Sequence, residues 1–212
     1  MVVLPVFLQA PWVHLYPITA CLFTFIILGL GDALARAKGG RWVNLGSLLV
    51  GVSGSWLGGC LFWGWLRSYP VFHIPVEAVV LPIAVIGLDT KWRIGAGFYL
   101  ASLLGTALTD MTMVLTGVMD SWPVVVNASM KTAPAILNKT AEDIFSLSSI
   151  CWILLIASLI FFISRWMSHK AQITNYSAKT WIVASAALVT TLWVDGLFLI
   201  TALIEPRLSG LI

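Results

Sequence analysis

The run LSSICWILLIASLIFFISRW, residues 147–166, carries no charged side chain before Arg165. About 20 apolar residues are what an α-helix needs to cross ~30 Å of hydrocarbon. In water such a helix would have no polar face to leave exposed, so the run reads as a membrane span. The rest of the chain agrees. Hydrophobic residues make up 59% of the 212 and charged residues only 10%, well under the roughly 25% charged of ordinary soluble domains. So few charges exclude a water-soluble fold of this length.

Working outward from residue 147, five further stretches meet the same criterion: Leu15–Leu34, Val43–Leu66, Tyr69–Leu88, Ile94–Met119 and Thr180–Leu203. The expected architecture is all-α: a single transmembrane domain over residues 1–212, built as a bundle of about six helices. Met1 to Pro11 is apolar and uncharged, and is expected to lie as a short interfacial segment before the first span. The third stretch is the weakest, because Pro75, Pro82, His73 and Glu77 interrupt it. Loop charge supports its crossing, since Lys and Arg collect on the cytoplasmic side. With six spans one face holds eight basic residues (Arg36, Lys38, Arg41, Lys91, Arg93, Arg165, Lys170, Lys179) and the other four (Arg67, Lys131, Lys139, Arg207). Without the third crossing the split becomes six against six. Six spans with both termini non-cytoplasmic is therefore the expectation.

The long connection from Asp120 to Ser146 has one amphipathic piece. Between Pro134 and Phe145, Ile136, Leu137, Ala141, Ile144 and Phe145 fall near one helical face, opposite Lys139, Glu142 and Asp143. A short interfacial helix acting as a tether is the simpler reading; a lid over a cavity is the alternative. Small residues four apart mark close helix contacts in lipid. Ser47, Gly51, Ser55 and Gly59 form one such stripe, and Gly97, Ala101, Gly105 and Thr109 another. Cys21, Cys60 and Cys151 fall in apolar runs, and the expectation is that they are small buried side chains.

The residues that carry functional information are those a span should exclude. An ionisable side chain near mid-bilayer costs at least ~2.5 kcal/mol and normally faces a bundle interior or a water-filled cavity. Asp110 lies nine residues from the non-cytoplasmic end of its span and Asp195 eight from that of its own, which places both ~12–14 Å below one surface at helical rise. His73 and Glu77, one helical turn apart, enter the broken third span from that surface, and Arg67 closes the second span there. Thr106, one turn from Asp110, and Thr109, next to it, add hydroxyls, with Thr190 or Thr191 in the same role about one turn from Asp195. The expectation is one polar pocket for an ion or ligand beneath the non-cytoplasmic face. The competing structural reading has each aspartate bonded to a neighbouring helix and Arg67 paired with Glu77.

Catalytic and cofactor motifs are missing. There is no HExxH, GxSxG, phosphate loop or CxxC, and His73 with Glu77 offers too few ligands for a metal site. An acid–base role for that pair lacks an activated nucleophile, so an enzyme is the last-ranked reading and no cofactor is named. Scattered basic residues give no nucleic-acid surface.

Several runs resemble a family of small integral membrane proteins found in cyanobacteria, whose function is unknown: PVFLQAP at 5–11, WGWLRSYPVFHIPVEA at 63–78, FYLASLLGTALTD at 98–110 and VDGLF at 194–198. The resemblance implies a photosynthetic prokaryote and a thylakoid or plasma membrane, and supplies no activity. Two functions remain in contention. The preferred one is a transporter or permease component for an ion, proton or small polar solute. The alternative is a non-catalytic assembly factor or small subunit of a photosynthetic or respiratory complex. The expected partners are the lipid bilayer and either such a complex or further copies of the chain.

Overall fold

The computed structural model describes residues 3–209, with side chains from Gln9 to Arg207. Met1 and Val2, the outer end of the expected interfacial segment, lie outside them. Among the described residues the chain is helical, without strands. Six helical stretches are long and apolar enough to cross a membrane, so the chain is an integral membrane protein.

Helix α1 (Val3–Leu15) precedes the first span, α2 (Pro17–Ala35). Pro17 opens α2, where a missing N–H costs nothing. The second span is α3 (Gly40–Leu61), which continues through a five-residue π-helical turn, Phe62–Leu66. The third is interrupted: a 3₁₀ turn at Pro70–Phe72, α4 (His73–Glu77), a second 3₁₀ turn at Ala78–Val80, and α5 (Leu81–Gly87). Its three prolines remove backbone donors and force these breaks. Next come α6 (Arg93–Leu115), α7 (Val118–Asn127), α8 (Ala133–Asp143), α9 (Leu147–Ile173) and α10 (Ala178–Ile204).

Two boundaries differ from the sequence expectation by more than three residues. The fourth span does not run to Met119; it stops at Leu115, because Gly117 takes φ 75° and turns the chain into α7. The fifth continues past Trp166 to Ile173. At 27 residues, α9 is ~40 Å long, so its basic end stands clear of a ~30 Å hydrocarbon layer.

The spans pack in the order α2, α3, α6, α10, α9, with α5 beside α6. α3 is the most enclosed, 61% of its most apolar stretch being buried against 6% for the broken third span. Both small-residue stripes lie in these seams. On α3, Ser47 and Gly51 meet Gly95 of α6 so closely that a Cβ on either glycine would collide with the opposing backbone. The Ser47 hydroxyl accepts the Gly95 N–H at 3.0 Å, capping the first turn of α6. The α6 stripe faces α10, with Gly97 against Thr180 and Gly105 against Thr191. Without a hydrophobic drive between helices in lipid, such backbone approach supplies the dispersion contact that holds the bundle.

α1 does more than rest beside the bundle. Its Gln9, Ala10 and Val13 are buried, and the Gln9 amide donates to the Trp56 carbonyl at 2.7 Å and to the Cys60 sulfur at 3.2 Å.

Candidate functional site

The broken third span brings two acid–base groups to the bundle interior. In the 3₁₀ turn after α4 the Leu81 N–H bonds to the Ala78 carbonyl and not to the Glu77 carbonyl that a continuous α-helix would give it. The Tyr99 hydroxyl of α6 donates to that carbonyl. Irregular backbone at membrane depth is tolerated only where protein satisfies it in this way. Gly58 of α3 faces the Glu77 backbone, where a side chain would press on its Cα at 2.9 Å. The Glu77 side chain is therefore held between α3 and α6.

One turn earlier His73 faces α6. Its Nδ1 lies 2.9 and 3.0 Å from the two carboxylate oxygens of Asp110, and its Nε2 lies 3.4 Å from Oε1 of Glu77. The ring stacks on Phe62, with centroids 4.2 Å apart, and Phe62 is fully buried in the π turn. The extra residue of a π turn is a common accompaniment of functional sites; here it carries both Phe62 and Trp63 toward the interior. Asp195 of α10 accepts a hydrogen bond from the Thr109 hydroxyl at 2.8 Å, the last contact in the α6 stripe.

These groups line one cavity of about 230 Å³. Along α6 it reaches from Phe98 to Met113, roughly 22 Å of helix at 1.5 Å per residue. Its walls are mainly apolar, with His73, Glu77, Asp110 and Asp195 gathered toward the end where α7 lies. Trp122 of α7 completes that end. Its indole N–H donates to the Arg67 carbonyl at 2.6 Å, which ties α7 to the end of the π turn. His73, Asp110, Met113 and Trp122 also border a second void of about 10 Å³, which touches Phe62, Pro70 and Met119. The His73–Asp110 contact is thus shared by the two voids.

Of the residues singled out from the sequence, His73, Glu77, Asp110, Asp195, Thr106 and Thr109 all line the cavity. Thr106 turns its hydroxyl back to the Ser102 carbonyl at 3.3 Å. Thr191, not Thr190, reaches the wall; Thr190 bonds to the Ala186 carbonyl at 2.7 Å on the exposed side. Arg67 is not among the lining residues, and the described residues show no ion pair between it and Glu77; the Glu77 carboxylate has His73 instead.

The aromatic and amide walls escaped the sequence reading. Trp56, Trp63, Phe98 and Phe198 look like ordinary apolar span residues, and nothing in their spacing marks them as lining. Gln9 did offer a sign, as a lone polar side chain in an apolar run. In the connection between the fourth and fifth spans, Trp122 of α7 forms cavity wall, whereas α8, the piece expected to act as a tether, contributes no lining residue among those described. Val125 and Val126 of α7 pack with Leu137 and Ala141 of α8 and Ala202 of α10. Asn138 of α8 donates to the Leu203 carbonyl at 2.9 Å, holding that layer on the end of α10.

The chain matches the family described as protein of unknown function (DUF3120) over residues 1–203, and it belongs to that family. No curated protein and no solved structure matches it.

Proposed function

We propose that this member of the family is a transporter or permease component for an ion, proton or small polar solute, with protons able to pass through the acidic cavity. One observation carries the reading: carboxylates from three separate spans and one histidine meet around a shared void, even though Asp110 and Asp195 each also bond to a neighbouring helix. Intramembrane ionisable groups are costly, and a void beside a discontinuous helix is where transporters keep their sites.

Each group has a role. With its Nδ1–H given to Asp110, His73 presents Nε2 to Glu77, so the imidazole stands as a relay between two carboxylates. Among the described residues Asp195 holds only a neutral hydroxyl, and it serves as the solute's counter-charge. The His73–Asp110 contact, shared by the two voids beside Trp122, acts as the gate toward that end of the bundle. The charge bias of the loops makes that end the non-cytoplasmic one, with both termini on the same side. The likeness of its runs to cyanobacterial membrane proteins suggests a thylakoid or plasma membrane.

Purified protein reconstituted into vesicles around a pH-sensitive dye tests this. A pH gradient should drive proton movement well above protein-free vesicles, and Asp110→Asn with Asp195→Asn should return the rate to that background. Flux that is unchanged in the double variant ends the reading.

A further inference from the structure

Resting on that reading of the cavity, we propose that its solute is a monovalent organic cation, an ammonium group seated at Asp195 with an apolar body lying toward Trp56 and Phe98. Charge comes first. Glu77, Asp110 and Asp195 line the void, and His73 is the one basic side chain among the described lining residues. That imidazole is already shared between Asp110 and Glu77. Asp195 is left with the Thr109 hydroxyl as its hydrogen-bond donor, so among the described residues this carboxylate has no counter-charge. An anion would be repelled by all three carboxylates. A neutral solute would displace water from Asp195 without replacing its solvation, which is costly for a charged group.

The walls and the size separate an organic cation from an inorganic one. About 230 Å³ is the volume of roughly seven or eight waters at ~30 Å³ each, far more than a bare ion fills. The described residues hold no group of three or more His, Cys, Asp or Glu side chains arranged to cage a metal ion, and the void runs on past the acids between Val52, Trp56 and Phe98. Hydrated ions gain nothing from such walls. An alkyl or aryl body does, and ammonium groups are attracted to the faces of tryptophan and phenylalanine rings. Trp63 and Phe198 supply two more such rings.

The test uses the full chain in lipid nanodiscs, with binding followed by calorimetry and by the fluorescence of the lining tryptophans, empty nanodiscs being subtracted. The probes are benzylammonium, benzyl alcohol, benzoate and potassium ion. Benzylammonium should bind saturably, and the other three at least tenfold more weakly. Asp195→Asn should weaken benzylammonium tenfold or more, while Asp195→Glu keeps the preference for the amine. Benzyl alcohol or benzoate binding as tightly as benzylammonium overturns the proposal, and this comparison needs only the unaltered protein. Indifference of benzylammonium to Asp195→Asn overturns it as well. Loss of selectivity with vesicle proton flux intact sinks the solute class alone. Selective amine binding without any flux sinks the transport reading alone.

Discussion

Replacing His73 by phenylalanine isolates the polar half of the site. The His73 ring stacks on Phe62 at 4.2 Å with planes 27° apart, so phenylalanine keeps the volume and the stacking and removes only two nitrogens. What is lost is the Nδ1–H donated to Asp110 at 2.9 Å and the longer Nε2 contact with Glu77 at 3.4 Å. A hydrogen bond to a charged group contributes about 1.5–3 kcal/mol, and stranding one member of a buried pair costs about 3–5 kcal/mol. The Asp110 side chain is 13% exposed and borders the cavity, so water relieves part of that cost. His73→Phe should therefore destabilise by about 3 kcal/mol. Asp110→Asn keeps an acceptor oxygen but loses the charge, and should cost about 1–2 kcal/mol. In the double variant no charge is stranded on Asp110, so the total should stay near 3 kcal/mol, a coupling of about 1–2 kcal/mol. Equilibrium unfolding of the four proteins in mixed micelles, followed by circular dichroism, measures the cycle. Effects that add to within about 0.5 kcal/mol would show the two side chains to be independent and would refute the relay geometry.

Two further outcomes follow from other parts of the bundle. Gly51→Ala should lower the melting temperature, because its Cβ would strike Gly95 and push α3 from α6; an overpacking cost of about 1–3 kcal/mol exceeds the ~1 kcal/mol of helix propensity gained. Gly29→Ala, with nothing within 4 Å of the new Cβ, should leave the melting temperature unchanged or raise it, and the reverse ranking would contradict the seam. His14, at the end of α1, has its pKa lowered from 6.5 by burial and then by the nearby Arg67 charge. The unfolded chain then binds the extra proton first, so stability should decline as pH falls through about 6.5. His14→Gln should remove that part of the slope in unfolding measured from pH 7.5 to 5; an identical slope in both proteins would count against it.

The spans were legible because length and apolar content are local properties: 147–166 needs no partner to be recognised as a crossing. The acids were legible for the same reason in reverse, since Asp110 and Asp195 are expensive in lipid wherever the helices point. Their matched depth follows from helical rise along each span taken alone. Rotation of one helix against another is different, because it depends on which backbones come closest. The Gly51–Gly95 approach sets α3 against α6, and Gly97 and Gly105 set α6 against α10. Those contacts turn Asp110 and Asp195 to one void and leave Arg67 outside it. The same packing brought in Trp122 and Gln9 from segments whose local patterns promised no more than a connecting loop and an interfacial stretch. Which side chains would be costly in lipid was readable residue by residue; which of them face each other was decided by where glycine lets helices touch.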